Sequence, residues 1–312
     1  INIKYLCGNS SVGKNISFFD KNLKNKKLPK IVKFNKSFLK NVDLIFTALP
    51  NGEAQILSKY LNSKNRLIDL AADFRLRDPK VYKKWYKINH QAVKNIKNSI
   101  YALPEINKKY FKNYKIISCP GCYPTSILLP LTPLLKKGLI STKNIIIDSK
   151  SGYSGAGRSV HKKYSKKNLY ESLSVYGIGF HRHNSELEQE LRKVCNNKFK
   201  ILFTPHLTPM FKGILSTIYV DISKKNSAKK IYKTLKKNYK KNIFIKFAQF
   251  NKPISTNDVI NTNNCLISVC KTKYKHKIVI LSAIDNLIKG GSGQGVQNMN
   301  IIYNFPESRG LK

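Results

Sequence analysis

The sequence predicts a two-domain α/β protein, with a parallel sheet and crossover helices first and an α+β domain with a mixed or antiparallel sheet second. Three observations indicate this. At 312 residues the chain is longer than a single hydrophobic core usually organises. Its first third alternates short apolar runs with helical patterns, and after residue 122 strands follow one another with few helices between them.

Short buried strands in the first third carry the prediction of a parallel sheet. A strand that is buried on both faces is a continuous apolar run rather than an alternating one. Such runs occur at 1–6, 41–49, 66–72 and 115–119, and a helical pattern covers 52–61. Strands separated by helices are typical of a parallel sheet, because parallel neighbours need a crossover connection.

The pattern changes to consecutive strands in the second part of the chain. Helices are predicted at 125–135, 186–194 and 228–239, and strands at 144–149, 200–203, 213–222, 243–247, 265–270 and 277–284. A last helix at 290–303 is expected to return to the first domain. We therefore predict one domain from residues 1–121 with 286–312, and a second from residues 122–285.

The charge is strongly positive but does not indicate a nucleic-acid partner. Lys and Arg number 58 against 16 Asp and Glu, which gives a formal net charge of +42, and only seven of the basic residues are Arg. Nucleic-acid sites favour an Arg-containing patch with interleaved aromatic residues, whereas these lysines are scattered. Because Lys, Asn, Ile and Tyr are the residues that A/T-rich codons encode, we attribute the charge to compositional drift. The excess charge would still attract acidic metabolites and cofactors.

The sequence predicts neither a membrane span nor a metal site. No apolar run approaches the roughly 18 residues that a spanning helix needs, and no secretory leader is recognised at the start. The six cysteines form neither a disulfide framework nor metal-spaced clusters. We therefore expect a cytoplasmic protein with reduced thiols, no membrane partner and no metal.

The strongest chemical signal is the segment Cys119-Pro-Gly-Cys122-Tyr-Pro-Thr125, between a predicted strand and an apolar helix. Because Pro124 is tolerated in a first helical turn, Cys122 is expected at the helix N-terminus. The N–H groups and partial positive charge there favour a thiolate and lower the thiol pKa, as a nucleophile requires. A buried structural cysteine, and a redox pair formed by Cys119 and Cys122, remain open as alternatives.

A nucleophilic cysteine needs a partner for proton transfer, and histidine is the usual one. His181-Arg-His183 stands just before a predicted helix, and such a pair is unusual in a core, although a solvated loop is the alternative. The pair has no third ligand at a recognisable spacing, so it does not indicate zinc. His206 is expected to be structural, whereas His90 and His276 lie in polar surroundings and are expected in solvent.

Further segments accompany the cysteine and histidine segments in a fixed order. They are Ala48-Leu-Pro-Asn-Gly52, Asp69-Leu-Ala-Ala-Asp-Phe-Arg75, Ser151-Gly-Tyr-Ser-Gly-Ala-Gly-Arg158, Thr204-Pro-His-Leu-Thr-Pro-Met210, Ser282-Ala-Ile-Asp-Asn286 and Lys289-Gly-Gly-Ser-Gly-Gln-Gly-Val-Gln-Asn298. Together they resemble N-acetyl-gamma-glutamyl-phosphate reductase, the NADPH-dependent enzyme family of arginine biosynthesis. The resemblance runs from near residue 1 to Leu311.

The resemblance implies a Rossmann-type parallel-sheet domain, incomplete at its N-terminus, and an α+β domain for catalysis and oligomerisation. It implies that Cys122 is the nucleophile and that His183, with His181 beside it, transfers protons. Arg158 and Arg182 would anchor the acyl phosphate substrate, since guanidinium groups bind carboxylate and phosphate bidentately; ion pairs at the surface are the alternative. A homo-oligomer, either dimer or tetramer, is expected. NADPH would be bound by Ser10, Pro50, Asn51, Ser151, Gly152, Asn286 and Gly290.

The sequence also departs from the family. Family members open with a strand and a Gly-x-Thr-Gly-Tyr-x-Gly turn, whereas residues 1–6 resemble the family's second strand, so the first strand and turn are expected to be absent. Asn9 or Ser10 stands where an Arg usually lies near the 2′-phosphate. NADP rather than NAD is therefore implied by the family alone. Cys119 and Lys212 stand where many members have Asn and Arg.

The implied reaction begins with attack of the Cys122 thiolate on the acyl phosphate, which releases phosphate and leaves a thioester that a hydride reduces to the aldehyde. Three other functions stay open. A basic nucleic-acid-binding protein would show an affinity that falls steeply with salt. A reductase of the same phosphorylated group on an acidic carrier protein, as in lysine-type pathways, would suit the positive surface. A redox protein would need both Cys119 and Cys122, whereas the reductase needs Cys122 alone.

Overall fold

The computed structural model describes residues 1–156, 171–195 and 199–312, and in them it has a four-stranded sheet, a seven-stranded sheet and a small two-stranded sheet, with helices packed on the two larger ones. The strands are β1 (Leu6–Cys7), β2 (Ile31–Val32), β3 (Leu44–Thr47), β4 (Arg66–Asp69), β5 (Ser99–Tyr101), β6 (Ile116–Ser118), β7 (Ile145–Gly152), β8 (Ser174–Val175), β9 (Ile201–Thr208), β10 (Ile214–Asp221), β11 (Ile245–Phe247), β12 (Cys265–Lys271) and β13 (Lys277–Ile284). The helices are α1 (Glu53–Ser58), α2 (Pro79–Tyr86), α3 (Val93–Ile96), α4 (Pro104–Asn107), α5 (Cys122–Lys136), α6 (His183–Arg192), α7 (Ala228–Asn238) and α8 (Gly293–Ile302). A π-helical turn, Ile288–Ser292, leads into α8.

The N-terminal part is built on a parallel sheet, as its buried strands predict. The four strands lie in the order β3-β4-β6-β5, and every neighbouring pair is parallel. Thr47, Asp69 and Ser118 are register partners at the ends of β3, β4 and β6. The loops that follow these three strands therefore meet at one edge, the edge at which parallel α/β sheets bind ligands.

The strand predicted at residues 1–6 is wrong for most of its length. Only Leu6 and Cys7 form a strand, β1, which pairs with the two residues of β2 in a separate parallel sheet. Ile1 and Ile3 are largely exposed to solvent. An extended segment becomes a strand only when a neighbour satisfies its backbone groups, and among the described residues Ile1 to Tyr5 have none.

The second sheet is mixed and has seven strands in the order β11-β12-β13-β10-β7-β9-β8. The pairs β7–β9 and β11–β12 are parallel, and the other neighbours are antiparallel. Helix α5 is buried along almost its whole length and packs on this sheet beside α6 and α7. This confirms the predicted α+β part of the chain.

Two helices begin earlier than the pattern predicts, and both shifts concern the candidate chemistry. Helix α5 begins at Cys122 rather than residue 125, and α6 begins at His183 rather than residue 186. Each candidate therefore occupies the first turn of a helix. In the described part of the chain, no helix has the length and apolar character needed to cross a bilayer.

The last helix packs against the parallel sheet. Met299 of α8 belongs to the same apolar cluster as Ile68 of β4 and Ile117 of β6. A Cβ on Gly295 would lie 2.9 Å from a Leu70 methyl carbon, so a glycine is what permits this close approach. The division into residues 1–121 with 286–312 and residues 122–285 stays a prediction.

Candidate active site

Cys122 lies where the two sheets meet, directly after the loop that leaves β6. It is the first residue of α5 and its side chain is partly exposed. The preceding residue, Gly121, is the N-cap of the helix, and its N–H donates to Oε2 of Glu186 at 3.0 Å. The candidate nucleophile is thus held between the parallel sheet and helix α6.

Two glycines allow other groups to approach Cys122 closely. A Cβ on Gly290 would lie 2.7 Å from the Cβ of Cys122, so the backbone of the π-helical turn rests directly on the cysteine. A Cβ on Gly121 would lie 2.4 Å from Nε2 of His183. The structure therefore brings Cys122, His183 and Gly290 together, although they are far apart in sequence.

The two histidines form one unit inside an aromatic cluster. The rings of His181 and His183 meet edge to face at 4.7 Å, and the backbone N–H of His183 donates to Nδ1 of His181 at 3.2 Å. Tyr123 and Phe203 contact the ring of His181 edge to face. These contacts fix the orientation of both imidazoles relative to α5.

Both imidazoles are neutral at pH 7. Burial lowers the pKa of His183 well below its usual value, and His181 and Arg75 lower it further. Burial also lowers the pKa of His181 to about 4, with a smaller contribution from Arg182. A neutral imidazole can accept a proton from a thiol, which is the role that the family resemblance implies for His183.

The expected lowering of the Cys122 pKa is wrong in this structure. Burial raises the pKa of the thiol to about 11, although Arg75 and the backbone N–H of Tyr123 lower it. The helix N-terminus does act in the expected direction, but removing the thiolate from water costs more. Cys122 is therefore a thiol at neutral pH in the free protein, and it needs a base to become a nucleophile.

A buried ion pair that the sequence analysis missed holds the site together. Nη1 of Arg75 donates to Oε1 of Glu186 at 2.9 Å, and the hydroxyl of Tyr101 donates to Oε2 of Glu186 at 2.9 Å. Arg75 also donates to the carbonyl oxygens of Cys119 and Leu70. Nε2 of His183 lies 3.8 Å from Oε1 of Glu186. The pair thus connects the loop after β4 to α6 and to the residues around Cys122.

No local sequence pattern predicts this ion pair, because Arg75 and Glu186 are 111 residues apart in sequence. Arg75 stands in one of the segments that carry the family resemblance, and Glu186 stands in the acidic first turn of a predicted helix. Those two features were the available signals. Neither indicates that the residues form a pair.

Three of the residues implied for NADPH binding, Ser151, Gly152 and Asn286, lie close together at the end of β7. The Nδ2 group of Asn286 donates to the Ser154 hydroxyl at 3.1 Å, and its Oδ1 accepts from the Gly213 N–H at 2.6 Å. A Cβ on the adjacent Gly155 would lie 3.1 Å from Ser151 Oγ and 3.3 Å from Asn286 Nδ2. Ser151 and Asn286 are therefore neighbours, and Asn286 precedes the turn that carries Gly290.

Gly152 has a packing role that its sequence position does not reveal. A Cβ there would lie 2.6 Å from the backbone nitrogen of Lys212, so only glycine fits against this segment. Its N–H donates to the carbonyl of Gly213 at 2.9 Å. Gly152 therefore sets how the end of β7 meets the loop before β10.

The remaining implied residues lie at the margins of this site. Pro50 and Asn51 follow β3 and stand at the carboxyl edge of the parallel sheet, whereas Ser10 is exposed in the turn after β1. Arg182 is exposed, and its guanidinium lies 5.4 Å from the ring centre of Tyr86. Arg158 lies outside the described residues.

The two cysteines of the Cys-x-x-Cys segment differ in their surroundings. Cys119 is buried, Asn298 Nδ2 donates to its sulfur at 3.3 Å, and burial raises its pKa to about 12. Both Cys119 and Cys122 are free thiols. A redox pair needs an accessible thiolate, so this arrangement favours a structural role for Cys119.

The expectation that His90 is solvated is wrong. Its side chain is buried, its Nε2 lies 2.9 Å from the carbonyl oxygen of Asp73, and its Nδ1 accepts from the Ala92 N–H. His276 is exposed, as expected. Within the ranges that the structure describes, no group of three His, Cys, Asp or Glu side chains could hold a metal ion.

Comparison with protein families divides the chain into two matching regions. Residues 1–114 match the NAD binding domain of semialdehyde dehydrogenases, and residues 122–286 match the semialdehyde dehydrogenase dimerisation domain. The second match begins at Cys122 and ends at Asn286. Both ends of that region therefore fall on candidate site residues.

Solved structures of low sequence identity share the fold. Aspartate semialdehyde dehydrogenase II from Vibrio cholerae is similar with a TM-score of 0.68 at 17% identity, over 96% of this chain and 90% of that one. Aspartate semialdehyde dehydrogenase with NADP from Candida albicans gives a TM-score of 0.65 at 17% identity, over 97% and 91% of the two chains. These likenesses confirm a Rossmann-like parallel-sheet domain with a mixed-sheet domain.

Curated relatives are much closer in sequence. The N-acetyl-gamma-glutamyl-phosphate reductase of Desulforamulus reducens is 41% identical over 293 residues, which are 94% of this chain and 83% of the relative. A probable chloroplastic N-acetyl-gamma-glutamyl-phosphate reductase of Arabidopsis thaliana is 41% identical over 93% of this chain and 72% of its own length. The chain therefore belongs to the N-acetyl-gamma-glutamyl-phosphate reductase family of semialdehyde dehydrogenase-like proteins.

Proposed function

We propose that the protein reduces N-acetyl-gamma-glutamyl phosphate to N-acetylglutamate 5-semialdehyde and phosphate in arginine biosynthesis, with NADPH as the reductant and Cys122 as the nucleophile. One observation carries this proposal. Cys122 begins a helix at the carboxyl edge of the parallel sheet, and the imidazole of His183 packs against the glycine immediately before it. The names of the relatives supply the substrate class.

The first step in this proposal is proton transfer from the Cys122 thiol to His183. The sulfur electron pair then forms a bond to the acyl carbon, the carbon–oxygen bond to phosphate breaks, and phosphate leaves with that electron pair. Backbone N–H groups in the first turn of α5 are available to stabilise the oxyanion, because they have no partner within the helix. The product of this step is a thioester on Cys122.

The second step regenerates the cysteine. Bound NADPH would supply the hydride that reduces the acyl carbon. The carbon–sulfur bond then breaks as the aldehyde carbonyl forms, and the sulfur recovers its electron pair. His183 returns its proton to the sulfur, which restores the thiol, and the released phosphate takes its proton from solvent. Burial keeps His183 neutral in the free protein, so its imidazole is able to accept this proton.

The residues at the end of β7 fit a dinucleotide. Asn286 fixes this end of the strand through the Gly213 N–H and the Ser154 hydroxyl. Gly155 leaves the space beside Ser151 without a side chain, and Gly290 lies on Cys122. Pro50 and Asn51 line the carboxyl edge of the sheet, where α/β proteins bind nucleotides. We propose Ser10 for the adenosine end, and NADP rather than NAD by family analogy. The match of residues 1–114 to an NAD binding domain supports the cofactor class.

We propose Arg182 and Arg158 as anchors for the negative groups of the substrate. Arg182 directly precedes His183, and its exposed guanidinium is accessible to an anion. Arg75 is a poorer candidate, because its donors already bind Glu186, Cys119 and Leu70.

We further propose a homodimer formed through the open face of the seven-stranded sheet. Ile146, Leu202 and Tyr219 are register neighbours on β7, β9 and β10, and they are 39%, 52% and 37% exposed. Adjacent exposed apolar side chains of this kind mark interaction surfaces. Sedimentation of the protein and of a Leu202→Lys variant tests this, and an unchanged mass for the variant contradicts it.

The free thiols support a reducing compartment, which we propose is the cytoplasm.

The experiment that tests the function runs the reaction backwards. N-acetylglutamate 5-semialdehyde, phosphate and NADP⁺ are mixed with the protein, and NADPH is followed by absorbance. We expect phosphate-dependent turnover that Cys122→Ser abolishes and that Cys119→Ala leaves largely intact. Equal loss in both variants would favour the redox pair. Turnover only with a carrier-linked substrate would favour the lysine-type reductase, and no turnover with either substrate contradicts the proposal.

A further inference from the structure

A fully buried lysine stands next to the glycine that contacts Cys122. Lys289 has no exposed side-chain surface, and its Nζ donates to Oε1 of Glu105 at 2.6 Å and to Oε1 of Gln297 at 2.9 Å. The Glu105 side chain is only 1% exposed. Lysine and glutamate are almost never buried to this extent unless they are paired.

The ion pair is the centre of a network that joins distant parts of the chain. Nε2 of Gln297, on α8, donates to Oε1 of Glu105 at 3.0 Å and to Oε2 of Glu307 at 3.1 Å. Asn263, in the loop before β12, donates to Oε1 of Gln297 at 3.0 Å. Because Glu105 lies on α4, the network links the parallel-sheet part of the chain to the mixed sheet through the turn that carries Lys289.

The turn itself has little freedom. The Gly290 N–H donates to the carbonyl of Asp285 at 3.0 Å, and Gly291 departs from helical geometry, with φ −158° and ψ −108°. A Cβ on Gly293 would lie 2.6 Å from Oδ1 of Asn263. Moving Lys289 would therefore move Gly290, which rests on Cys122.

A buried ion pair is a poor way to gain stability. Removing two charges from water costs about as much as their attraction returns, and apolar pairs of similar volume are often at least as stable. Buried charges do, however, specify one geometry, because both partners must meet at hydrogen-bond distance. The position of this pair, one residue before the glycine on Cys122, indicates what geometry it specifies.

We propose that Lys289 and Glu105 are positioning residues for the reaction at Cys122: their ion pair fixes the turn Ile288–Ser292 so that Gly290 covers the cysteine. They act through Gly290. The proposal rests on the proposed function only for its kinetic consequence, since displacements of about 1 Å in a reacting geometry lower rates on the order of 100-fold. The accessibility of the Cys122 thiol can be measured by alkylation, with no need for enzymatic turnover.

The test compares three variants with the parent protein. Lys289→Met/Glu105→Gln removes both charges together, so that neither is left buried and unpaired. Glu105→Asp keeps both charges but shortens the acidic partner by one methylene. Lys277→Met is the matched control, because it removes a half-exposed lysine that pairs with Asp221 at 3.0 Å on the edge of β13.

The first readout is the rate of iodoacetamide alkylation at each cysteine, followed by peptide mass spectrometry across pH. In the folded double variant we expect Cys122 to react at least fivefold faster, with its pH midpoint shifted downward, while buried Cys265 stays protected. A general loosening of the fold would instead expose Cys122 and Cys265 together, and that result would overturn the proposal.

The second readout is steady-state kinetics in the reverse assay. We expect kcat to fall at least tenfold in the double variant and at least threefold in Glu105→Asp, with KM for the semialdehyde changed less than threefold and Lys277→Met unchanged. Alkylation of Cys122 and kcat both within twofold of the parent, in whichever variants fold, would overturn the positioning role. If the parent shows no reductase activity, the proposed function fails, while the alkylation pattern still decides whether the pair positions the turn.

Discussion

Replacing Gly121 with alanine perturbs the site at a single contact. The backbone at Gly121 is extended, with φ −65° and ψ 156°, which any residue adopts, so the substitution introduces no backbone strain. The new methyl group would, however, lie 2.4 Å from Nε2 of His183. Since non-bonded heavy atoms prefer about 3.5 Å or more, the imidazole has to move by about 1 Å.

The magnitude follows from that displacement. A misplacement of about 1 Å in a reacting geometry lowers turnover on the order of 100-fold, which corresponds to about 2.7 kcal/mol of activation free energy. We expect Gly121→Ala to lower kcat in the reverse assay by this factor and to change the KM for the semialdehyde little. The melting temperature, measured alongside, reports whether the fold is intact.

A double-mutant cycle shows whether the effect passes through His183. In a His183→Asn background the imidazole is already gone, so Gly121→Ala should lower the residual rate less than threefold. If Gly121→Ala lowers kcat by the same factor in both backgrounds, its effect does not pass through the contact with His183. Full activity of Gly121→Ala in the parent background would refute the reasoning outright.

Three further predictions concern the same site. His183→Asn should lower kcat by about 10²- to 10⁴-fold, the usual contribution of a general acid–base group, in the steady-state assay; an unchanged kcat would exclude it from proton transfer. Glu186→Gln leaves Arg75 buried without its partner, so the free energy of unfolding should fall by about 3–5 kcal/mol, as measured by urea denaturation. A loss below about 1 kcal/mol would show that the protein does not depend on this ion pair. The pKa of His181 is about 4 in the folded protein, below its value in the unfolded chain, so the unfolded state binds the extra proton and the free energy of unfolding should fall as pH falls from about 6.5 to 4. Urea denaturation at pH 7 and pH 5 measures this fall, which should be smaller in His181→Gln. An equal fall in the variant would contradict the assignment.

Much of the fold could be predicted from sequence because its signals are local. The buried runs at β3, β4 and β6 were predicted, and so were the strands of the mixed sheet except β8, which has only two residues. The prediction for β9 ended at residue 203, whereas the strand continues to Thr208. The failure at residues 1–6 has a physical cause, because a strand depends on its neighbour as much as on its own residues. Apolar character alone could not show that β1 would pair with only two residues.

The candidate site was only partly predictable for the same reason. The position of Cys122 at a helix start follows from Pro124 and the preceding strand, both of which are local. The direction of its pKa does not, because the burial that raises it depends on contacts between segments far apart in the chain, such as that of Gly290 with Cys122. The pairing of Arg75 with Glu186 is equally non-local, so no pattern in the single sequence predicts it.

The central claim is that Cys122 carries the acyl group during the reaction. The most direct measurement is peptide mass spectrometry of the protein after acid quenching, following incubation with N-acetyl-gamma-glutamyl phosphate in the absence of NADPH. We expect an acyl adduct on the peptide that contains Cys122, its removal by hydroxylamine as for a thioester, and no adduct in Cys122→Ser. An adduct on another residue, or steady turnover by a protein that never forms one on Cys122, would contradict the account.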